Sequence, residues 1–113
     1  MPRKLKYEMR GPIAILKPEG TLTGGDETLE MERVIAELSE QGNRQMIVDL
    51  SKVELMTSRS IGALVWAYTH YANREGVVKL CGLGRRLKSI FIWTQLLKVF
   101  QNFETLDEAL ASF

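Results

Sequence analysis

Hydrophobic and polar positions change their spacing repeatedly along this chain, which predicts strands that alternate with helices. Residues 5–9 alternate weakly between apolar and polar side chains, and residues 13–16 form a short apolar run. The pair Gly11-Pro12 between these runs is typical of a tight turn, so the sequence predicts an opening β-hairpin. Pro18 is expected to end the second strand of that hairpin.

Three longer segments repeat their apolar residues at the spacing of an amphipathic helix. In the first, Asp26 is predicted to cap the N-terminus, and Gly42 marks the end. The second begins within residues 58–61 and is predicted to be capped at its C-terminus by Gly76, and the third follows residue 84. The apolar positions that define these helices are Met31, Val34, Ile35 and Leu38, then Ile61, Leu64, Val65, Tyr68 and Ala72, then Leu87, Ile90 and Phe91.

Two unbroken apolar runs, residues 46–50 and 77–81, are typical of central strands covered on both faces. Near the end of the chain, Thr105 and Glu108 match a capping box and predict a last, short helix. The alternation of elements indicates an α/β fold with right-handed crossovers. We therefore predict one domain over residues 1–113, with a mixed β-sheet of about five strands that opens with a hairpin and is flanked by about four helices.

Composition limits the classes of function. The chain has 113 residues, 45% of them hydrophobic, which is enough apolar material for one core. Its 15 Lys and Arg against 14 Asp and Glu leave a net charge of +1 without a long run of one sign, which argues against nucleic-acid binding. The single cysteine, Cys81, excludes an intramolecular disulfide, and no apolar stretch has the length of a transmembrane segment or secretory signal. We expect a cytoplasmic protein.

A cluster of hydroxyl side chains lies where an apolar strand gives way to a helix. The sequence LSKVELMTSRSIGAL, residues 50–64, places Thr57, Ser58 and Ser60 at this junction. In a structural interpretation, Ser58 or Ser60 accepts a hydrogen bond from a free helical N–H, a cap worth on the order of 1 kcal/mol. In a functional interpretation, the exposed hydroxyl is a phosphorylation site, where the helix N-terminus tolerates the added charge. The two interpretations are compatible.

The same segment resembles the signature of the STAS domain of anti-sigma-factor antagonists, and the similarity extends over nearly the whole chain. The resemblance implies a regulatory module that binds an anti-sigma kinase, frees a sigma factor, and is released when that kinase phosphorylates it. The family's phosphorylated serine matches Ser58. Thr57 stands where the family usually has aspartate and Ser60 where it usually has glycine, so both stay open as alternative acceptors. The residues that carry the resemblance are Val48-Asp49-Leu50-Ser51, Val53, Leu55-Met56, the hydroxyl cluster and Ile61-Gly62-Ala63-Leu64.

The expected partner surface is the loop before Ser58 together with the outer face of the following helix. Arg59 adds a positive charge that could pair with a phosphate. Trp66 is interpreted equally well as an exposed anchor for a partner or as a residue packed under a neighbouring helix. The predicted contact residues are Thr57, Ser58, Arg59, Ser60, Gly62, Ala63 and Trp66.

Residues with other chemistry are sparse. His70 is expected at the surface and has no second ligand at metal spacing, while Asp49 and Glu54 lack a recognisable nucleophile and base beside them. We therefore expect no enzyme activity, no metal and no cofactor. The second hypothesis is a structural STAS subunit of a signalling scaffold or lipid-transport complex that binds partners without phosphorylation. A homodimer is compatible with either function.

Overall fold

The chain opens with the hairpin that the sequence predicts. Strand β1 (Lys6–Arg10) pairs antiparallel with β2 (Ile13–Lys17), and Gly11 takes a φ of 58° in the turn between them. The structure is a computed structural model that describes residues 5–113. Pro18 follows directly after β2, as expected.

Five strands form a mixed main sheet, which confirms the predicted architecture. The remaining strands of this sheet are β4 (Gln45–Asp49), β6 (Val77–Cys81) and β7 (Asn102–Phe103). They run parallel to β2, and the order across the sheet is β1-β2-β4-β6-β7. The two predicted central strands, β4 and β6, lie inside the sheet, where their side chains are mostly buried.

Helices cover both faces of the main sheet, and the larger core lies on the face that carries the two longest. Met31 and Ile35 of the first long helix and Leu64 of the second pack there against the sheet. The smaller core surrounds Cys81 and lies under the last helix. The helices are α1 (Asp26–Glu40), α2 (Ser58–Ala72), α3 (Arg85–Trp93) and α4 (Leu106–Ala111), with a short 3-10 helix at Leu96–Lys98.

A second sheet of two parallel strands was not predicted from the sequence. Strand β3 (Gly20–Leu22) pairs with β5 (Val53–Met56), and the register shifts between Gly20 and Thr21. Both strands are short, and β5 exposes two of its four residues, so neither has the apolar pattern that marks a strand. This small sheet positions the candidate site, because β3 leads into α1 and β5 leads into α2.

Two of the predicted helix caps are wrong. The N-cap of α1 is Gly25, and Asp26 is the first helical residue, where its charge faces the positive end of the helix. After α2 the left-handed position belongs to Glu75, with a φ of 61°, and not to Gly76. Gly76 is required instead by close packing, because a Cβ there would lie 3.0 Å from the carbonyl oxygen of Arg44. The predicted end of α1 at Gly42 and the capping box of Thr105 and Glu108 are confirmed.

A buried lysine attaches α4 to the main sheet. Lys79 of β6 is 5% exposed, and its ammonium donates hydrogen bonds to the carbonyl oxygen and the hydroxyl of Ser112, at 3.1 and 2.9 Å. The same ammonium lies 4.0 Å from the ring centroid of Phe113. Burial lowers the pKa of Lys79, but the carbonyl at the end of α4 suits a cation because it carries the negative end of the helix dipole.

The crowding at Gly82 gives a test of how tightly the carboxyl end of the main sheet is packed. Gly82 has a φ of 74°, and a Cβ there would lie 2.9 Å from the backbone nitrogen of Ser51. We expect Gly82→Ala to cost about 1–2 kcal/mol more in unfolding free energy than Gly11→Ala. Gly11 is the matched control, because it also has a positive φ but no atom within 4 Å of the added Cβ. Equal costs in urea denaturation would contradict this packing.

Candidate functional site

The ends of β3 and β5 are held together by one carbonyl group. The carbonyl oxygen of Leu22, the last residue of β3, accepts a hydrogen bond from the backbone N–H of Thr57 at 3.0 Å. It also accepts one from the hydroxyl of Ser60 at 2.8 Å. Since Thr57 and Ser60 flank the start of α2, these bonds fix that start against the end of the neighbouring strand.

Thr57 caps α2, which corrects the prediction that Ser58 or Ser60 does so. Its backbone is extended, with φ of −85° and ψ of 168°, and its Oγ1 accepts a hydrogen bond from the backbone N–H of Ser60 at 3.4 Å. The predicted caps lie one and three residues beyond the observed cap, because Ser58 is already the first residue of the helix. The cap therefore leaves the Ser58 side chain without a structural task.

The three hydroxyls of the junction have different environments. Ser60 is fully buried, and its hydroxyl lies 2.8 Å from the Leu22 oxygen and 2.9 Å from the Thr57 carbonyl oxygen. Thr57 is half-buried and engaged in the cap. Ser58 is exposed, and no hydrogen bond within residues 5–113 engages its hydroxyl. Of the three proposed acceptors, Ser58 is therefore the one that the folded domain presents to solvent.

Arg59 is engaged by α1 and does not extend freely beside Ser58. Its guanidinium donates two hydrogen bonds to the carboxylate of Glu32, at 3.1 and 3.0 Å. This carboxylate raises the pKa of Arg59 above its ordinary value. If Arg59 is to pair with a phosphate as expected, its ion pair with Glu32 has to open, or the guanidinium has to contact both groups at once. The first turn of α2 holds no acidic side chain, so the positive end of its dipole is not neutralised locally.

The loop between β3 and α1 packs against the same junction. Thr23 donates from both its backbone N–H and its hydroxyl to Glu27, and these bonds lower the pKa of Glu27 to about 2. Gly24 has a φ of 93°, and a Cβ there would overlap the side chain of Arg59. Sequence reasoning missed Gly24, Glu27 and Glu32 as parts of this site, since the pairing of β3 with β5 that brings them close has no local pattern.

The outer face of α2 presents only part of the predicted contact surface. Ser58, Gly62 and Trp66 follow each other along one exposed stripe of the helix. Trp66 is 36% exposed, and its ring lies 5.0 Å from that of His70, so its side chain is partly open to solvent and its role as a partner anchor stays a prediction. Ala63 is 1% exposed and packs in the core, which removes it from the surface of the free domain.

Neither packing within the domain nor backbone conformation requires a glycine at position 62 of this stripe. No atom lies within 4 Å of a Cβ built at Gly62, and its φ is in the ordinary helical range. Glycine inside a helix costs about 0.5–1 kcal/mol relative to alanine. Ser58 and Trp66 therefore flank an open notch in the helix surface at Gly62.

His70, near the C-terminal end of α2, lies in a different environment from the one that the sequence predicts. His70 is half-buried, which differs from the predicted surface position, and burial lowers its pKa. Its Nε2 has no hydrogen-bond partner within residues 5–113. No group of three or more His, Cys, Asp or Glu side chains in that range could hold a metal ion.

A family model for the STAS domain matches residues 4–109 of the chain. The chain belongs to the STAS domain family. No curated protein matches this STAS domain significantly in sequence. Its fold is nevertheless similar to several solved structures.

Two of these structures are named as anti-sigma factor antagonists, and a third is named as a cell fate determinant. A candidate anti-sigma factor antagonist from Thermotoga maritima has a TM-score of 0.89 at 19% identity, over 96% of this STAS domain and 92% of that chain. An anti-sigma factor antagonist from Mycobacterium paratuberculosis has a TM-score of 0.84 at 22% identity, with the same shares of each chain covered. The phosphorylated form of the Bacillus cell fate determinant SpoIIAA has a TM-score of 0.78 at 16% identity, over 96% of this domain and 97% of that chain. At these identities the likeness establishes the fold.

Over residues 5–113, none of the helices of the STAS domain combines the length and apolar character needed to span a bilayer.

The division of tasks among the hydroxyls can be tested by stability measurements on this STAS domain. We expect Thr57→Val to lower the free energy of unfolding by about 1 kcal/mol, because it keeps the β-branched shape and removes the capping oxygen. Ser58→Ala is the matched control and should change it by less than about 0.5 kcal/mol. Urea denaturation followed by circular dichroism measures both. A larger loss of unfolding free energy for Ser58→Ala than for Thr57→Val would show that Thr57 is not the residue that caps α2.

Proposed function

We propose that this STAS domain is an anti-sigma factor antagonist that binds an anti-sigma kinase through the start of α2 and is released when Ser58 is phosphorylated. The observation that carries the proposal is the exposed Ser58 hydroxyl at the first residue of a 15-residue helix, free of hydrogen bonds within the described chain. A kinase can reach this hydroxyl without unfolding the junction, because Thr57 and Ser60 supply the structural bonds.

The helix terminus makes a phosphate at Ser58 compatible with the fold. A phosphoserine carries about −1.5 to −2 charges at neutral pH, and the N-terminus of a helix stabilises such a charge. The lack of an acidic side chain in the first turn of α2 leaves that stabilisation available. The fold therefore accommodates a phosphate at Ser58. We expect phosphorylation to change the affinity for a partner that binds this surface.

The surface beside Ser58 has the features of a contact site. Trp66 supplies an exposed aromatic side chain of the kind that dominates binding energy at protein interfaces. Between it and Ser58, the notch at Gly62 admits close approach by a partner. A charge added at Ser58 would have to be desolvated on binding at such a surface, which opposes association.

The similar structures support the same role. All three are named as anti-sigma factor antagonists or as SpoIIAA, one of them in a phosphorylated form. A domain of this kind acts inside the cytoplasm as a binding module and not as an enzyme. Its immediate partner would be an anti-sigma factor with serine kinase activity.

Charge at Ser58 is expected to control binding. Ser58→Asp should weaken the affinity for the anti-sigma kinase by at least about tenfold, because it places an unpaired carboxylate in the interface. Ser58→Ala should bind as tightly as the original protein and should not be released by ATP. Isothermal titration calorimetry with the kinase recovered by affinity purification measures the affinities. Equal affinity of both variants would remove Ser58 from the switch.

Phosphosite mapping separates the proposed function from its alternative. On protein isolated from its own cells, intact mass and peptide sequencing should find a phosphoryl group at Ser58. A stable complex without phosphate on Thr57, Ser58 or Ser60 would favour the second hypothesis, a structural subunit of a signalling scaffold or a lipid-transport complex.

The notch at Gly62 predicts opposite effects on stability and on binding. Gly62→Ala should raise the free energy of unfolding by about 0.5–1 kcal/mol, because alanine costs less backbone entropy in a helix. The same change should weaken kinase binding, since its methyl group fills the notch. Thr69→Ala, on the exposed side of the same helix beyond Trp66, is the control and should leave the affinity unchanged. If Gly62→Ala bound the kinase normally, the notch would have no part in recognition.

A further inference from the structure

Strand β1 forms a long exposed edge of the main sheet. It pairs with β2 on one side, and no strand within residues 5–113 pairs with its other side. The opposite edge of the sheet is β7, which is only two residues long. An unpaired edge of five residues presents backbone N–H and C=O groups that can pair with another strand, whereas a very short edge strand cannot do so effectively.

The side chains of β1 alternate between apolar and charged. Tyr7 and Met9 are each 48% exposed and lie opposite Leu16 and Ala14 of β2, on the face that carries α1 and α2. The charged residues Lys6, Glu8 and Arg10 point to the other face. The edge therefore carries both an apolar row and a row of charges.

Two charges of this row have opposite charges near them within the chain. The carboxylate of Glu8 lies 2.7 Å from the ammonium of Lys17, and this bond holds the pKa of Glu8 below its ordinary value. Lys6 lies 3.6 Å from the carboxylate of Glu19, with its own side chain 77% exposed. At neutral pH the edge therefore presents a cation and an anion two residues apart.

We propose that the β1 edge binds a second copy of this chain, in a two-fold dimer whose main sheets join through antiparallel pairing of their β1 strands centred on Tyr7. In this register Lys6 of each copy lies opposite Glu8 of the other, so both charge pairs attract. Tyr7 lies opposite Tyr7, and Leu5 lies opposite Met9, so every apolar side chain meets an apolar side chain. Opposite charges and aromatic pairs placed directly across from each other are the pairs that stabilise a sheet.

Neighbouring registers are less complementary. Pairing centred on Glu8 would place Glu8 opposite Glu8 and Lys6 opposite Arg10, which opposes like charges. Pairing centred on Met9 would also place Glu8 opposite Arg10, which joins opposite charges, but it would leave Tyr7 opposite Gly11, where the turn gives it no side chain to contact. Over residues 5–9, pairing centred on Tyr7 is therefore the register that joins opposite charges and also gives each apolar side chain an apolar partner.

The dimer leaves the surface of α2 accessible and does not depend on the proposed function. In the main sheet, α2 packs against β6, and β2 and β4 separate that strand from β1. The edge thus supplies a second contact surface, for the chain itself, that is separate from the Ser58 surface.

Two charge reversals test the register. Lys6→Glu and Glu8→Lys each place like charges opposite each other at both symmetric pairs, so each variant alone should dimerise at least about tenfold more weakly than the original protein. In an equimolar mixture, the first variant carries carboxylates at both reversed positions and the second carries ammonium groups at both. Opposite charges then face each other at both pairs of a mixed dimer. The mixture should therefore recover the original affinity as a heterodimer, as measured by sedimentation equilibrium.

The double variant Lys6→Glu with Glu8→Lys controls for effects within one chain. It loses the bond between Glu8 and Lys17 as the single Glu8→Lys variant does, yet it restores complementary pairs and should dimerise. Thermal unfolding followed by circular dichroism confirms that each variant is folded. A monomer at concentrations up to about 1 mM for the original protein, the weak limit of specific association, would overturn the proposal. A dimer that neither single variant weakens, or a mixture that fails to recover, would overturn it equally.

Discussion

The carbonyl group of Leu22 sets the position at which α2 begins, and the candidate site depends on that position. It accepts hydrogen bonds from the backbone of Thr57 and from the hydroxyl of Ser60, which come from the end of β5 and the first turn of α2. Because the second bond is buried, leaving the oxygen or the hydroxyl without a partner there would carry a desolvation penalty. The strand pair β3–β5 and the helix start are thus one structural unit, and side chains that are distant in sequence become neighbours through it.

The assignment of tasks among three adjacent hydroxyls follows from this unit. Ser60 is turned inward by its bond to Leu22, and Thr57 is extended at the end of β5, where its oxygen can reach back to the helix. The hydroxyl between these two, that of Ser58, is left at the surface by geometry alone. The departures from the usual family pattern at Thr57 and Ser60 are therefore explained by capping and by core packing. Neither departure removes Ser58 as the proposed site of phosphorylation.

Much of the fold follows from the sequence, because its main signals are local. The hairpin around Gly11, the central strands β4 and β6 and the capping box at Thr105 each depend on residues close in the chain. The pairing of β3 with β5 depends on contacts between segments some thirty residues apart, and neither strand has enough alternating residues to indicate it. For the same reason the cap of α2 was predicted at the wrong hydroxyl, since a shift of one residue at the end of a strand changes which side chain faces the helix.

The bidentate pair between Arg59 and Glu32 connects the junction to α1, and its exposure determines what a phosphate could do there. The Arg59 side chain is 50% exposed, and ion pairs at such positions contribute little to stability because water and salt screen them. An arginine held this weakly can exchange a carboxylate for a more highly charged phosphate nearby without loss of folding stability. Gly24 leaves room for the Arg59 side chain beside the loop before α1, because a Cβ there would overlap it. Phosphate at Ser58 would then alter both the charge of the surface and the contact between the two long helices.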